Sequence, residues 1–254
     1  ARAGLARKPR ASPAATGSNV EPAIVTVHEP KAPVSEAYRT ARTNFQFTTF
    51  EQNPRVIMVT SSVPAEGKTT TSTNLAVAMA QNGSRVLLID ADMRRPHAHY
   101  LLGIERSPGL SDVLTGTAGA HDVIRTTGVP NLMIIPSGVI PDNPAELIGS
   151  DNMKNLLETL RVEFDVIVCD VPAVLVVTDA LILARHVDSV LMVVAVHNAR
   201  RQTILRALRL LETAKSQISG IVLNGLKSTR LRHYYYYYYY EDAAQPSRKR
   251  WYNE

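Results

Sequence analysis

Cysteine and long apolar runs are both scarce in this sequence. The only cysteine is Cys169, which excludes an internal disulfide and favours a reducing cytoplasm. No apolar run reaches the roughly 20 residues that a membrane-spanning helix requires. The chain begins with alanine rather than methionine, which leaves open whether it is a fragment of a longer membrane protein.

Excess charge of one sign is also small. The 254 residues carry a net charge of +5, largely from the two ends of the chain, which disfavours a dedicated nucleic-acid groove. Residues 1–33 show no periodicity, are rich in alanine and proline, and hold four basic residues among the first ten. We predict a flexible basic linker there, either a solvated tail or a juxtamembrane segment that faces anionic lipid.

The strongest motif starts in an apolar run at residues 56–59, which predicts a buried strand, and leads into Gly67-Lys68-Thr69 before a helical pattern. Strand, small-residue loop, G-K-T and helix are typical of a phosphate-binding loop, where main-chain N–H groups and the helix dipole attract an anion. Lys68 would neutralise the β- and γ-phosphates, and the Thr69 hydroxyl would bind Mg²⁺. The alternative is an ordinary strand-to-helix turn, since Ser62 stands where the motif has its first glycine. The predicted nucleotide contacts in this loop are Ser62, Val63, Pro64, Ala65, Glu66, Gly67, Lys68, Thr69 and Thr70.

Three carboxylates follow predicted buried strands. Asp90 and Asp92 come after the apolar run 86–89, and Asp170 comes after the run 166–169. Ligands of open parallel sheets bind at the carboxyl ends of the strands, and clustered carboxylates repel unless a cation lies near them. We therefore predict Mg²⁺ at this edge. The alternative for Asp90 and Asp92 is an exposed turn, and Cys169 is predicted to be a buried core thiol.

A helix is predicted at residues 34–50, with Ser35 as its N-cap. Glu36, Arg39 and Arg42 are spaced three apart and share one face of that helix. This face is either a solvated surface with an internal ion pair or a docking face for a neighbouring subunit.

The end of the chain, residues 228–254, has a different composition. It contains a run of consecutive tyrosines, namely Tyr234, Tyr235, Tyr236, Tyr237, Tyr238, Tyr239 and Tyr240. Neither a helix nor a half-buried strand uses such a run, so we predict a flexible tail. The tail is either a low-complexity segment that stacks on partners or a set of phosphate acceptors.

Strands and helices alternate along the rest of the chain. Further strands are predicted at residues 132–135, 190–196 and 218–223, and further helices at residues 145–160, 178–185 and 200–215. The alternation predicts an α/β fold with a mainly parallel sheet and helices on both faces. Residues 34–227 are predicted to form this one domain, between the linker and the tail.

Taken together, these motifs resemble the bacterial tyrosine kinases, or BY-kinases, which control capsule and exopolysaccharide synthesis. The resemblance extends over about residues 34–240. Besides the E-x-x-R-x-x-R helix and the tyrosine run, it rests on S-S-V-P-A-E-G-K-T-T, V-L-L-I-D-A-D-M-R-R-P, G-L-S-D-V-L and P-S-G-V-I-P-D-N-P-A-E-L. It implies a P-loop NTPase fold of the MinD/ParA-like type.

The resemblance also implies a set of roles, with ATP and Mg²⁺ as cofactors. Lys68 and Thr69 would belong to the Walker A motif, Asp90 and Asp92 to the A-prime motif and Asp170 to Walker B, with Asn224 near the adenine. The helix of Glu36, Arg39 and Arg42 would build a ring in which one chain's tail enters its neighbour's site, and phosphorylated tails would loosen the ring. A membrane-spanning activator, fused or separate, would hold the protein at the inner face of the bacterial membrane, and a tyrosine phosphatase is expected.

The sequence departs from the family pattern at three positions. Ala65 stands where glycine is usual, and a positive φ there would narrow the approach of the loop to phosphate. Val171 and Ala173 stand where Walker B usually reads D-S/T-P-P, so Val171 removes one hydrogen bond to the water shell of the metal.

The predicted reaction transfers the γ-phosphoryl group of ATP to tyrosine hydroxyls, with Lys68 and Mg²⁺ stabilising the developing charge. Asp92 and Asp170 would position the metal, and Asp90 would accept the tyrosine proton. Two alternatives stay open. A MinD/ParA-like positioning ATPase usually carries a lysine where this chain has Val63, and a nucleotide-binding scaffold would have weak or no kinase activity.

Overall fold

A central sheet organises the part of the chain that the computed structural model describes, residues 20–198 and 200–226. Its seven strands are β1 (Val56–Ser61), β2 (Val86–Asp90), β3 (Arg125–Thr126), β4 (Leu132–Ile135), β5 (Val166–Asp170), β6 (Ser189–Ala195) and β7 (Ile218–Asn224). They pair in the order β3-β4-β2-β5-β1-β6-β7. Every neighbouring pair is parallel except β3 and β4, which are antiparallel.

Helices cover both faces of this sheet. In the described ranges they are α1 (Val25–His28), α2 (Pro33–Thr48), α3 (Lys68–Gln81), α4 (Ala98–Leu101), α5 (Leu110–Leu114), α6 (Ala120–Val123), α7 (Pro144–Ile148), α8 (Asp151–Glu163), α9 (Asp179–Leu183) and α10 (Arg201–Thr213). Alternate residues of β1 enter opposite apolar clusters: Val56 and Met58 pack with helices α5 to α10, and Ile57 and Val59 pack with helices α1 to α4. The predicted α/β sheet with helices on both faces is confirmed.

The linker predicted at residues 1–33 extends too far along the sequence. Ile24 is fully buried, and Thr26 of α1 donates hydrogen bonds from its amide and its hydroxyl to Asn74 Oδ1 of α3, at 3.2 and 2.9 Å. Residues 20–33 therefore belong to the folded domain, and the linker prediction is wrong for them. The segment is too short to show a periodic pattern, so only its tertiary contacts reveal it. Residues 1–19 and the tyrosine-rich residues 228–254 lie outside the described residues.

Helix α2 begins at Pro33 with Ala32 as its N-cap, so the prediction of Ser35 as the N-cap is wrong. Proline suits the first turn because its missing N–H would have no partner there. Ser35 is instead fully buried, and its hydroxyl lies 2.6 Å from the carbonyl oxygen of Glu29 and 3.0 Å from that of Val25. This hydroxyl thus attaches α2 to α1 and to the turn between them.

The helix predicted at residues 145–160 is two helices. Helix α7 ends at Ile148, and the Ser150 hydroxyl then accepts a hydrogen bond from the Met153 amide at 3.4 Å, as the N-cap of α8. The other predicted strands and helices are present, with ends that differ by at most two residues. None of the helices in the described ranges combines the length and the apolar character that crossing a bilayer requires.

Candidate nucleotide-binding site

The register of the sheet brings three polar strand ends together. Asp170, the last residue of β5, is paired with Asp90 of β2 on one side and with Val59 of β1 on the other. Strand β1 then continues through the phosphate loop, residues 62–67, into α3 at Lys68. The loop and the aspartates therefore share the carboxyl edge of the sheet, where open parallel sheets bind ligands.

A cavity of about 440 Å³ opens at this edge, a size that suits a small-molecule ligand. It is lined by the loop and α3 residues Pro64, Ala65, Gly67, Lys68, Thr69 and Thr70, and by Asp92, Arg94, Arg95, His97, Pro172, Ala173, Val176 and Val177 from the other strand ends. Three of the predicted loop contacts, Ser62, Val63 and Glu66, are not among the lining residues. Their contribution to nucleotide binding stays a prediction.

Lys68 lies between two carboxylates. Its Nζ donates a hydrogen bond to Asp92 Oδ2 at 2.7 Å and lies 3.8 Å from Asp170 Oδ2. Burial alone would lower the pKa of Lys68, but the charges of Asp170 and Asp92 outweigh burial and raise that pKa. The side chain is therefore a charged ammonium group at the entrance of an anion-binding loop.

Asp170 is fully buried, and neither oxygen of its carboxylate has a hydrogen-bond partner within normal geometry among the described residues. Burial raises the pKa of Asp170 to about 7, although the nearby Lys68 charge acts to lower it. A buried carboxylate with unused oxygens beside the Thr69 hydroxyl is the kind of donor set that Mg²⁺ prefers. The residues therefore fit the predicted cation.

Asp90 is placed differently from the prediction. It is fully buried, and its Oδ2 accepts hydrogen bonds from the amides of His97 and Ala98 at 3.2 and 3.0 Å, at the start of α4. It does not line the cavity. Asp90 Oδ2 therefore holds the start of α4, and the role of Asp90 as the acceptor of a substrate proton stays a prediction. A strand-end position does not reveal in which direction the side chain turns.

The loop backbone is left-handed at Ala65, with φ of 62°, and at Gly67, with φ of 83°. Ala65 thus adopts the positive φ at which an alanine is strained relative to glycine. Gly67 is required for a second reason, since a Cβ there would overlap the side-chain amide of Asn224. Asn224 Nδ2 donates a hydrogen bond to the carbonyl oxygen of Glu66 at 3.0 Å, so Asn224 holds the loop in place. Its predicted position near the adenine stays a prediction.

The unusual Walker B residues have different surroundings. The Val171 side chain packs in the apolar cluster of the α5 to α10 face, whereas Ala173 lines the cavity. The main chain here is attached to β1, because Val171 N donates to Val59 O at 3.2 Å. Cys169 is buried, and burial raises the pKa of its thiol to about 12, which confirms the predicted core thiol.

A residue pair that the sequence analysis missed borders the cavity. The Arg94 guanidinium donates two hydrogen bonds to Asp179 of α9, from Nε at 2.9 Å and from Nη2 at 3.0 Å. Asp179 is almost completely buried, whereas the Arg94 side chain is 38% exposed and lines the cavity. Arg94 belongs to the segment V-L-L-I-D-A-D-M-R-R-P, but no sequence signal identifies Asp179 as its partner.

The charged face of α2 is only partly available to a neighbouring subunit. Arg39 forms an ion pair with Glu36 on the helix surface. Arg42 donates from Nη1 to the carbonyl oxygen of Ala78 in α3 at 3.0 Å, so this residue also acts within its own chain. The internal ion pair is present, and a docking role of this face stays a prediction.

Comparison with known proteins identifies first the class and then the family. A family model described as an AAA domain matches residues 54–221. The chain is 37% identical over 218 residues to tyrosine-protein kinase YwqD of Bacillus subtilis, a match that covers 86% of this chain and 92% of YwqD. The solved kinase domain of the Escherichia coli tyrosine kinase ETK is 32% identical, with a TM-score of 0.79 over 85% of either chain. This chain belongs to the BY-kinase family.

Two further comparisons define the extent of this likeness. The chain is 34% identical over 203 residues to the curated sequence of Etk from E. coli K12, but it spans only 28% of that protein's length and 80% of its own. The solved structure of the Pyrococcus furiosus cell division ATPase MinD is 28% identical with a TM-score of 0.59, over 66% of this chain and 71% of that one. The predicted P-loop fold of the MinD/ParA-like type is confirmed.

Proposed function

We propose that this protein is an ATP-dependent protein-tyrosine kinase that transfers the γ-phosphoryl group of ATP to tyrosines 234–240 of another copy of the same chain. The observation that carries the proposal is the cluster of Lys68, Asp92 and Asp170 beside the G-K-T loop, in a member of the BY-kinase family. An ammonium group at this place supplies positive charge where the oxygens of a transferred phosphoryl group become more negative.

Magnesium enters the proposal through three oxygen donors. Asp170 offers a buried carboxylate without hydrogen bonds, and Asp92 and the Thr69 hydroxyl lie at the cavity. Bound there, Mg²⁺ would neutralise charge on the β- and γ-phosphates. In the described ranges, no group of three or more His, Cys, Asp or Glu side chains could hold a metal alone. This agrees with an ion that takes its other ligands from phosphate and water.

Nucleotide binding has a consequence for Lys68 in this proposal. Its Nζ donates to Asp92 at 2.7 Å, so it must exchange this carboxylate for phosphate oxygens when the triphosphate enters. The exchange would release Asp92 to face the metal, and it would give Lys68 other charged oxygen acceptors in return. Asp90 is given no step in this proposal, because its Oδ2 already accepts hydrogen bonds from the amides of His97 and Ala98.

The acceptor tyrosines and the assembly complete the proposal. A tail that enters a neighbour's cavity requires a ring of subunits, for which the half-exposed Glu36 and Arg39 of α2 offer a charged face. Phosphates on the tail would add negative charge and loosen such a ring. We place the protein at the inner face of the bacterial membrane, with a membrane-spanning activator and a tyrosine phosphatase, where its phosphorylation cycle regulates exopolysaccharide or capsule synthesis and export.

The test is incubation of the purified protein with labelled ATP and Mg²⁺, followed by mapping of phosphotyrosine. We expect label on residues 234–240 that is lost in Lys68→Met. For transfer between chains, a size-tagged Lys68→Met protein serves as the acceptor, and a variant with phenylalanine at all seven positions serves as the kinase.

The outcomes separate the alternatives. Label on the size-tagged acceptor supports transfer between chains, whereas label only within an active chain contradicts it. Release of phosphate without any tyrosine label would instead support a MinD/ParA-like ATPase. Tight ATP binding without turnover would support a nucleotide-binding scaffold.

A further inference from the structure

Glu66 belongs to the phosphate loop, yet its side chain is directed into the protein. The residue is 1% exposed and does not line the cavity. Its Oε2 accepts hydrogen bonds from the Ser62 hydroxyl at 2.7 Å and from the Val63 amide at 3.0 Å, and its Oε1 accepts one from the Ala195 amide at 3.2 Å. We name Glu66 with these three donors the Glu66 brace.

The Glu66 brace connects the loop to strands on both sides of it. Ser62 and Val63 follow the end of β1, and Ala195 is the last residue of β6. The main chain of Glu66 makes a further connection, since its carbonyl oxygen accepts from Asn224 at the end of β7. Glu66 therefore attaches the phosphate loop to the ends of three strands, β1, β6 and β7.

A carboxylate suits this position better than any other side chain. All three partners donate, and an ionised carboxylate is acceptor-only, with about four lone-pair sites. Among the described residues no ion pair includes Glu66, so hydrogen bonds alone compensate the buried charge. A glutamine amide would turn its NH₂ group toward either Ala195 N–H or Val63 N–H. In both orientations one buried main-chain donor loses its acceptor.

We infer that Glu66 is a positioning residue: its carboxylate holds the phosphate loop in the conformation in which the main-chain amides of the loop receive phosphate. This inference rests on the proposed nucleotide binding and deepens it. The loop needs such support because Ala65 and Gly67, the two neighbours of Glu66 in the chain, both have positive φ. Without the brace the loop samples other shapes, and binding must then select the competent one.

The experiment compares Glu66→Gln and Ser62→Ala with the matched control Glu158→Gln, whose side chain is 62% exposed on α8. Three quantities are measured in the full chain: the Kd for a fluorescent ATP analogue with Mg²⁺, hydrogen exchange of residues 61–70, and Tm. We expect Glu66→Gln to weaken binding by about tenfold and to accelerate exchange in the loop by a similar factor. Ser62→Ala, which removes one of three donors, should weaken binding by about threefold. The control should match the wild type.

The result that overturns the inference is a Glu66→Gln protein with wild-type Kd and loop exchange, whether or not its Tm falls. If Glu66→Gln does not fold, wild-type binding and loop exchange in Ser62→Ala overturn the inference instead. The kinase proposal fails separately: a wild type that binds ATP in a Glu66-dependent manner but never labels its tyrosines refutes the kinase and leaves the brace intact. A wild type without any ATP binding refutes both.

Discussion

The cavity and helix α2 both collect opposite charges, but they bury them to different degrees. The side chain of Lys68 at the cavity and that of Asp170 beside it are 14% and 0% exposed, whereas those of Arg39 and Glu36 on α2 are 30% and 42% exposed. Burial lowers the local dielectric, which strengthens charge interactions and shifts pKa values. Exposed pairs contribute little to stability. Basic and acidic side chains therefore form a strongly coupled cluster in one region and a weakly coupled surface pair in the other.

Among the changes that test this comparison, Asp170→Asn is expected to have the largest effect, which is on tyrosine labelling. The change removes a charge that burial disfavours, so the free energy of unfolding should not fall. Tyrosine labelling in Mg²⁺ should fall by about 100-fold or more, since a metal-facing carboxylate is lost. Labelling rates and urea unfolding measure the two quantities.

The matched control for this prediction is Asp90→Asn. An asparagine oxygen can still accept from the amides of His97 and Ala98, so the start of α4 keeps its hydrogen-bond acceptor. We expect labelling to fall by less than about tenfold. An equal loss in both variants would contradict the different placement of the two aspartates.

The next effect concerns Asp179→Ala, which leaves the Arg94 guanidinium without its two-point partner. We expect a loss of about 2 kcal/mol in the free energy of unfolding, because hydrogen bonds to charged groups are among the stronger ones. The control is Asp165→Ala, which breaks the ion pair between Asp165 and Arg85. The side chains of Asp165 and Arg85 are 47% and 60% exposed. Urea denaturation should show a clearly smaller loss in the control, and equal losses would contradict the role of burial.

A moderate, pH-dependent effect on stability is expected at Asp188. This residue directly precedes β6 and accepts hydrogen bonds from Arg161 of α8. Burial alone would raise its pKa, but hydrogen bonds from Arg161 and from the amides of Val56 and Arg55 hold that pKa below its usual value. A depressed pKa contributes stability that is present above the unfolded value near 4 and is lost as the pH falls through the folded value. The Tm difference between wild type and Asp188→Asn should therefore shrink from pH 7 to pH 3. A constant difference would show that this carboxylate gains nothing from being charged.

The smallest effect on stability is expected from Arg39→Ala. Its exposed pair with Glu36 contributes a few tenths of a kcal/mol. Arg42→Ala should cost more, about 1 kcal/mol, because it removes the hydrogen bond to Ala78. In light scattering, Arg39→Ala should lose any self-association while it keeps its Tm. A drop in Tm as large as that of Arg42→Ala would erase the contrast between the two charged regions.

Six of the seven strands could be predicted because they contain short apolar runs between turn residues, whereas β3 (Arg125–Thr126) has no such run and was not predicted. Strands β1, β2 and β5 are buried on both faces, so each appears as a continuous β-branched or aliphatic segment. The loop was predictable from Gly67-Lys68-Thr69 for a comparable local reason, since the motif needs a left-handed residue, a cation and a hydroxyl in sequence. The α7 and α8 boundary was missed because Gly149 and Ser150 lie inside an otherwise helical pattern.

The directions of polar side chains could not be predicted in the same way. Ser62 and Glu66 stand in the motif that binds phosphate, but their side chains bond to each other and to β6. Asp90 lies two residues before Asp92, yet one holds the start of α4 and the other holds Lys68. Ala195 and Asp92 are distant in sequence from the residues they contact, Glu66 and Lys68. The nearer partners of Glu66 and Asp90, Ser62 and Ala98, are brought into contact by loop conformations that no periodic pattern contains.

By itself, the sequence determined where most strands, the longer helices and the phosphate loop lie, because apolar periodicity and backbone requirements act between residues that are close along the chain. The tertiary structure decided which charges meet, which are buried, and which of the loop residues face the cavity. Those properties depend on the register of β5 between β1 and β2, and on the resulting loss of water around Lys68 and Asp170. Solvation and long-range contact are set only when the sheet is assembled.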